Sequence, residues 1–419
     1  MGNNLFYEKI QKELDRIDSA GVAKRNENVI EGFTKEPSPK AIIKGENYLI
    51  FNSNDYLGLR FDRSLKEAEE DAGSMYGVGP GAVRFISGTL KIYKDLEKTI
   101  ATFHGREDGM IFSSAFATNI AVMSCFLRGQ SKDSLLSNEV VVISDELNHR
   151  SIIDGIRAAS IDKEQKQIYK HLDYQNLSEV LEQNKENYKR AVVVTDGIFS
   201  MIGEYADLLK IRKIVDKYAT EYEEGVLLIV DDSHGIAACG KTGRGCEELT
   251  EGLADLLVGT FGKGFGVDGG YVVGKKLLID YLRESAATYI YSNSISPTVA
   301  AAAFASVEIV GSSKGELLLK KLENNLSYFK RKIKTAGFTF VTESVHPIQP
   351  LFIGDTLKTK QLKELLFKDK ILVTNINYPV VAKGKDEIRI QINASHTKED
   401  IDFFVESCQK AGKFLGIIQ

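Results

Sequence analysis

Residues 226–230, Val-Leu-Leu-Ile-Val, form an unbroken apolar run that ends abruptly in Asp231-Asp232-Ser233-His234-Gly235. A strand with no polar residue on either face must be covered on both sides, the condition of a parallel sheet flanked by helices. Met110–Ser113, Val140–Ser144, Ala191–Thr195 and Asp255–Gly259 read as further strands, with helical stretches between them from about 91 to 295. This alternation predicts an α/β fold with a mostly parallel, doubly wound sheet. An amphipathic helix over 4–25 and a β-hairpin over 41–51 precede it. Long helices to about 336 follow, then strands at 338–341, 349–352, 371–373 and 387–392 with a helix near 358–369. The expected division is an N-terminal arm at 1–50, a large domain at 51–296 and a small α+β domain at 297–419.

Composition narrows the function classes. A net charge of -4 gives no electrostatic case for nucleic acid or an anionic membrane. No apolar run is long enough for a membrane span, and the N-terminus lacks the apolar core of a signal peptide. Cys125, Cys239, Cys246 and Cys408 show no metal-ligand or disulfide spacing, so no metal is expected and the expected location is cytoplasmic.

The chemistry gathers at the ends of the apolar strands, where open α/β sheets bind ligands. Thr260-Phe261-Gly262-Lys263-Gly264-Phe265-Gly266 follows one of them. Glycines let the backbone turn and approach a ligand closely, and a lysine desolvated at such a turn becomes a nucleophilic amine. Upstream, an aspartate at Asp231 can keep a pyridine nitrogen protonated, with His234 near a ring oxygen. Lysine and aspartate together are what pyridoxal phosphate requires. Ser113–Asn119 reads as a strand-to-helix turn, whose free N–H groups suit a phosphate. Arg389 has the two-pronged guanidinium that grips a carboxylate.

D-D-S-H-G at 231–235 and T-F-G-K-G-F-G at 260–266 resemble the α-oxoamine synthases, and matching strings run from Asn54 to His396. These enzymes use pyridoxal phosphate to condense an amino acid with an acyl-CoA, on an aminotransferase-like fold of type I. The resemblance implies that Lys263 binds the cofactor and moves the substrate proton, that Asp231 holds the ring nitrogen, and that His149 stacks on the ring. It implies that Ser200 and His234 bond the ring hydroxyl, that the Ala115 and Phe116 amides hold the phosphate, and that Thr260 belongs to the cofactor site. Asn54 and Arg389 would hold the amino acid. Ser292 and Asn293 lie in a loop that in relatives reaches the other subunit's phosphate, which implies a homodimer with shared active sites. Gly77–Thr89 would border the acyl-CoA entrance, where Pro80 and Ala82 depart from the family's pattern.

Within the family the strings divide. Arg84–Thr89, Ser144–Gly155 and D-D-S-H are most like the branch that joins glycine to acetyl-CoA, which is the expected activity. F-G-K-G-F-G is more like the branch that uses alanine and a pimeloyl thioester, and a serine-using synthase with a longer acyl chain is a further alternative. An aminotransferase or aldolase would keep the lysine and aspartate without releasing CoA. One other motif competes: Gly235–Thr242, G-I-A-A-C-G-K-T, satisfies the P-loop pattern. Four residues separate it from the strand and no helix opens at Lys241, which argues against an NTPase.

Overall fold

The computed structural model describes residues 3–20, 23–25, 27–129, 133–378 and 381–419. Its centre is a seven-stranded sheet in the order β4-β10-β9-β8-β7-β5-β6. The strands are β4 (Asp108–Phe112), β5 (Val140–Asp145), β6 (Lys166–Tyr169), β7 (Arg190–Asp196), β8 (Val226–Asp231), β9 (Leu256–Thr260) and β10 (Gly270–Gly274). All neighbours pair in parallel except β10, which runs antiparallel to β4 and β9. The five expected strands are present to within about two residues. The edge strand β6 has no apolar run to announce it. β10 is five fully buried residues, Gly-Tyr-Val-Val-Gly, too closely flanked by glycines to stand out.

Both faces of this sheet are covered. Val141, Val193, Leu228, Val230 and Leu257 enter one hydrophobic core, while Val140, Val142, Val192, Ile229 and Val258 enter the other. That two-sided burial is why β5 and β9 carry no polar side chain before their C-terminal ends, and why β7 has only Arg190 at its start, tied to Glu224.

A second sheet joins the two ends of the chain, in the order β1 (Gly32–Thr34), β2 (Lys40–Ile43), β3 (Glu46–Ile50), β12 (Ile371–Leu372). A third comprises β11 (Ile348–Phe352), β14 (Glu387–Gln391) and β13 (Thr374–Ile376). The strand expected at 338–341 is reduced to one bridge, Phe340 to Leu351. Pro350 of β11 accepts from the Val341 amide but has no N–H to return, so that ladder cannot continue. The N-terminal helix is Asn4–Ser19 with no buried residue; its expected continuation includes residues 21 and 22, which lie outside the described set. Among the described residues no helix is long and apolar enough to cross a membrane.

The glycine-rich stretch at 77–89 ends in a π-helical turn at Arg84–Gly88. Arg84 is buried and ion-paired with Glu97 at 3.0 Å, under the rings of Tyr93 and Tyr289. Arg283 and Lys94 also reach Glu97, at 3.2 and 3.1 Å. The arginine therefore anchors the turn, while Val78, Phe85 and Ile86 are exposed. Replacing Arg84 by Met removes a buried charge that its partner needs. The expected loss is about 3 kcal/mol of unfolding free energy, read by urea denaturation; an unchanged midpoint would contradict this anchoring.

Candidate active site

The carboxyl ends of β7, β8 and β9 open onto a cavity of about 190 Å³. Lys263, Asp231, His234, His149, Ser200, Thr260, Ala115 and Phe116 all line it, as do Asp196, Ser151 and Ser233. A larger groove of about 790 Å³ beside Arg60 and Asp62 is lined by surface charges and holds no comparable grouping.

Strand alternation sorts the two adjacent aspartates. Asp231 faces the cavity, where Ser233 donates to Oδ1 from its amide at 3.0 Å and its hydroxyl at 2.5 Å, and Asn119 Nδ2 donates to Oδ2 at 2.6 Å. Asp232 points away and accepts the Cys246 amide at 2.5 Å. It fills the space that side chains at Gly197, Gly235 and Gly245 would need. Its role is to brace the turn after β8. The same turn disposes of the P-loop reading: the Thr242 amide and hydroxyl are tied to the Glu248 carboxylate, and the next helix begins only at Cys246.

Lys263 stands on the turn after β9. A Cβ at Gly264 would come within 2.5 Å of the Ala237 carbonyl oxygen, and Gly266 has φ +72°, so both glycines are required by close packing and by backbone conformation. A Cβ at Gly262 would meet only ordinary contacts, Thr260 Oγ1 at 3.4 Å being the nearest, so that glycine is required by neither. Burial pushes the Lys263 ammonium down to about 8, against the pull of Asp231 and Asp196. Asp196 is the register partner of Asp231 on the adjacent strand. Burial and the neighbouring Asp231 push its carboxyl well above the usual range, and its Oδ1 has no partner among the described residues.

Hydrogen bonds fix both histidines. His149 caps the helix Arg150–Ala158, and its Nδ1 accepts the Ser151 amide at 3.3 Å and lies 2.7 Å from the Ser151 hydroxyl. Its ring proton must then sit on Nε2. Ser151 in turn accepts from Asn119 at 2.8 Å, which links His149 to Asp231. His234 Nδ1 lies 2.7 Å from the Tyr56 hydroxyl. Burial keeps that phenol protonated, and burial with the nearby Lys263 charge pushes His234 well below its ordinary range. With Tyr56 donating to Nδ1, the nearer of its two acceptors, His234 carries its proton on Nε2; the other acceptor is Asn54 Oδ1 at 3.4 Å. His346 braces this pair: its Nε2 donates to the His234 carbonyl at 2.8 Å and its ring stands edge-on to Tyr56.

Asn54 and Arg389 are close by but not on the cavity wall. Arg389 Nε donates to the Ser200 carbonyl at 2.6 Å, and Asn54 accepts from Gln391, two residues along the same strand face. Ser292 and Asn293 are exposed and lie outside the cavity of their own chain. His396, which matched the family string, is structural: it donates to the Ile50 carbonyl at 2.9 Å and stacks on Phe51.

Sequence reasoning missed Tyr56, Asn119, Ser151 and Asp196 as site residues. Asn119 and Ser151 sit inside the stretches Ser113–Asn119 and Ser144–Gly155, and Asn119 lies one helical turn past Ala115, a spacing that could have marked it.

The cavity meets the needs of pyridoxal phosphate on its own geometry. Ser114 caps the helix Ala115–Arg128 by accepting the Ala117 amide at 3.1 Å, and the earlier amides of that turn have no intrahelical acceptor for them. A doubly anchored carboxylate and a desolvated amine complete the set for phosphate, ring nitrogen and aldehyde. In cofactor-free protein, acylation of Lys263 by an amine-specific reagent should rise with pH through a midpoint near 8, because only the neutral amine reacts and burial has lowered its pKa. Peptide mapping across a pH series reads it; a midpoint near that of an ordinary lysine would contradict the desolvation.

The sequence matches the aminotransferase class I and II family over residues 46–407. An 8-amino-7-oxononanoate synthase of Petrotoga mobilis is 40% identical over 419 residues, covering 99% of this chain and 100% of the relative. One from Bacillus subtilis is 37% identical over 91% of this chain and 92% of its own length. Among solved structures, a serine palmitoyltransferase of S. paucimobilis with bound PLP-myriocin superposes with a TM-score of 0.85 at 26% identity, covering 98% of both chains. The 8-amino-7-oxononanoate synthase of Francisella tularensis gives 0.70 at 25% identity over 88% of this chain and 98% of its own. The chain therefore belongs to the aminotransferase class I and II family, as a pyridoxal-phosphate-dependent C-acyltransferase of the α-oxoamine synthase type.

Proposed function

We propose that the protein makes 8-amino-7-oxononanoate from L-alanine and a pimeloyl thioester. The end-to-end likeness to relatives of that name carries the reading, and the cavity around Lys263 supports its chemistry. The product name defines the substrates. Its last two carbons, one bearing the amine, are the Cα and methyl of alanine after the carboxylate has left as CO2. The other seven form a dicarboxylic acyl group delivered as a thioester, whose thiol is released. The lean toward glycine and acetyl-CoA is thereby corrected: the strings behind it, D-D-S-H and the segment around His149, build the cofactor pocket and say little about the acyl chain.

Each residue has a task in this reading. Arg389 and Asn54 hold the alanine carboxylate beside the cavity. Lys263, neutral near pH 8, removes the Cα proton. Bound pyridoxal phosphate supplies an electron-poor ring that accepts the charge left at Cα. Asp231 holds a proton on the ring nitrogen, and Asn119 and Ser233 keep its carboxylate aimed. His149 covers the ring face, with its Nε2–H free to donate. Ser200 and the Nε2–H of His234 bond the ring hydroxyl. The Ala115 and Phe116 amides, with Thr260, receive the phosphate. Ser292 and Asn293 act in the partner's site, in a homodimer.

The test is thiol release by purified holoenzyme. Alanine with pimeloyl-CoA should release thiol and give a product of the mass of 8-amino-7-oxononanoate, and Lys263→Ala should lower the rate by more than about 10³-fold. Release only with glycine and acetyl-CoA, or only with serine and a long-chain acyl-CoA, would overturn the substrate assignment.

A further inference from the structure

β14 has two unlike faces. Ile388, Ile390 and the following Ile392 enter the hydrophobic core, whereas Glu387, Arg389 and Gln391 share the opposite face. That polar face looks toward the catalytic cavity: Arg389 reaches the Ser200 carbonyl and Gln391 reaches Asn54. Glu387 is the third member of the row. It is 0% exposed, and neither carboxyl oxygen has a hydrogen-bond partner among the described residues. A carboxyl buried without any partner is costly and calls for a reason.

Its surroundings supply one. On the same face, the register neighbours of Glu387 are Phe352 of β11 and Ile376 of β13, and those of Arg389 are Pro350 and Thr374. None of the four is titratable. Among the described residues Arg389 acts on Glu387; Tyr56, held protonated by burial, and Glu387 act on Arg389, and Lys263, His234 and His346 also feel its charge. Residues two apart on a strand stand about 7 Å apart at Cα, within reach of an extended arginine and glutamate. Among the described residues Arg389 makes no ion pair in this structure, so the guanidinium is held by Ser200 alone at Nε and is left to an incoming anion.

We propose that Glu387 is a proton-linked positioning residue for Arg389: protonated, it leaves the guanidinium to the carboxylate of the amino-acid substrate; ionised, it competes for it. This rests on the reading of Arg389 as the carboxylate holder. Burial pushes the Glu387 carboxyl up to about 8, with Arg389 pulling the other way. The sign follows. Below that value Glu387 is neutral and substrate binds without taking up a proton. Above it, a carboxylate must displace an ionised Glu387 from Arg389, or wait for it to protonate. Binding then weakens and is accompanied by proton uptake.

Propionate, which is alanine without its amino group, isolates this effect from the chemistry at Lys263. Calorimetric titration of the holoenzyme with propionate, in two buffers of different ionisation heat, reads affinity and protons together. The expected result is a dissociation constant about tenfold weaker at pH 9 than at pH 7, with uptake of most of a proton at the higher pH. Glu387→Gln should bind equally at both pH values with no uptake. If that variant does not fold, Glu387→Met carries the same expectation. A pH dependence that survives in either variant, or a flat response in the wild type, would overturn the proposal. Arg389→Lys separates the two readings: propionate binding at pH 7 that is unchanged in this variant would show that Arg389 does not hold the carboxylate, and the role of Glu387 would fall with it.

Discussion

An amine that is hard to charge, held beside a carboxyl that is hard to ionise, is the constraint on which the rest of the site depends. Lys263 is carried into the cavity by a turn that packs its own backbone against Ala237 and Arg60. Desolvation disfavours its ammonium, and the neighbouring Asp231 pulls the other way. Asp196 is itself held well above the usual carboxyl range, by burial first and then by Asp231, its register neighbour. The two carboxyls differ in their bonding: the oxygens of Asp231 accept three hydrogen bonds between them, whereas Oδ1 of Asp196 has no partner among the described residues.

The cavity is also where the two ends of the chain meet. Tyr56 comes from the segment after β3, His234 from the end of β8, and His346 from just before β11. The tautomer of His346 is itself locked: Nδ1 accepts the Ile348 amide and Nε2 donates to the His234 carbonyl. Burial drives His346 down to about 3, so it remains neutral and this brace does not loosen within the working pH range. His171 behaves oppositely. Burial disfavours its charge, but Asp145 and Glu204 raise it to about 9, so it stays a cation that ties the loop before His149 to the turn after Ser200. That support is complete below about pH 6.5 and is lost as pH rises through 9.

Much of this site is legible in the amino-acid sequence. The strands carrying Asp231 and Lys263 are readable because two-sided burial leaves no room for polar residues until the strand ends, which is also where the ligand site lies. The seven-stranded order, the reversed β10 and the joining of β3 to β12 are not readable, since register between distant segments leaves no mark on either one. Asp231, Lys263, His149 and His234 stand out by residue type at strand ends. Tyr56 and Asn119 do not, because a buried tyrosine or asparagine looks the same in sequence whether it fills space or fixes a tautomer. Arg84 shows the reverse error of emphasis: it lies in a string associated with the acyl entrance, yet its charge is spent on Glu97. Glu387 is invisible for another reason. On an alternating strand it reads as a solvent-facing residue, and only the third sheet packed against the cavity buries it.

The central claim is that one lysine, Lys263, holds pyridoxal phosphate in this cavity. The most direct measurement is to fix the cofactor with borohydride in the wild-type protein and map the modified peptide by mass spectrometry. The account predicts a single pyridoxyl-phosphate adduct on the peptide containing Lys263, with none in Lys263→Ala. An adduct on another lysine, or no adduct from a protein saturated with the cofactor, would contradict it.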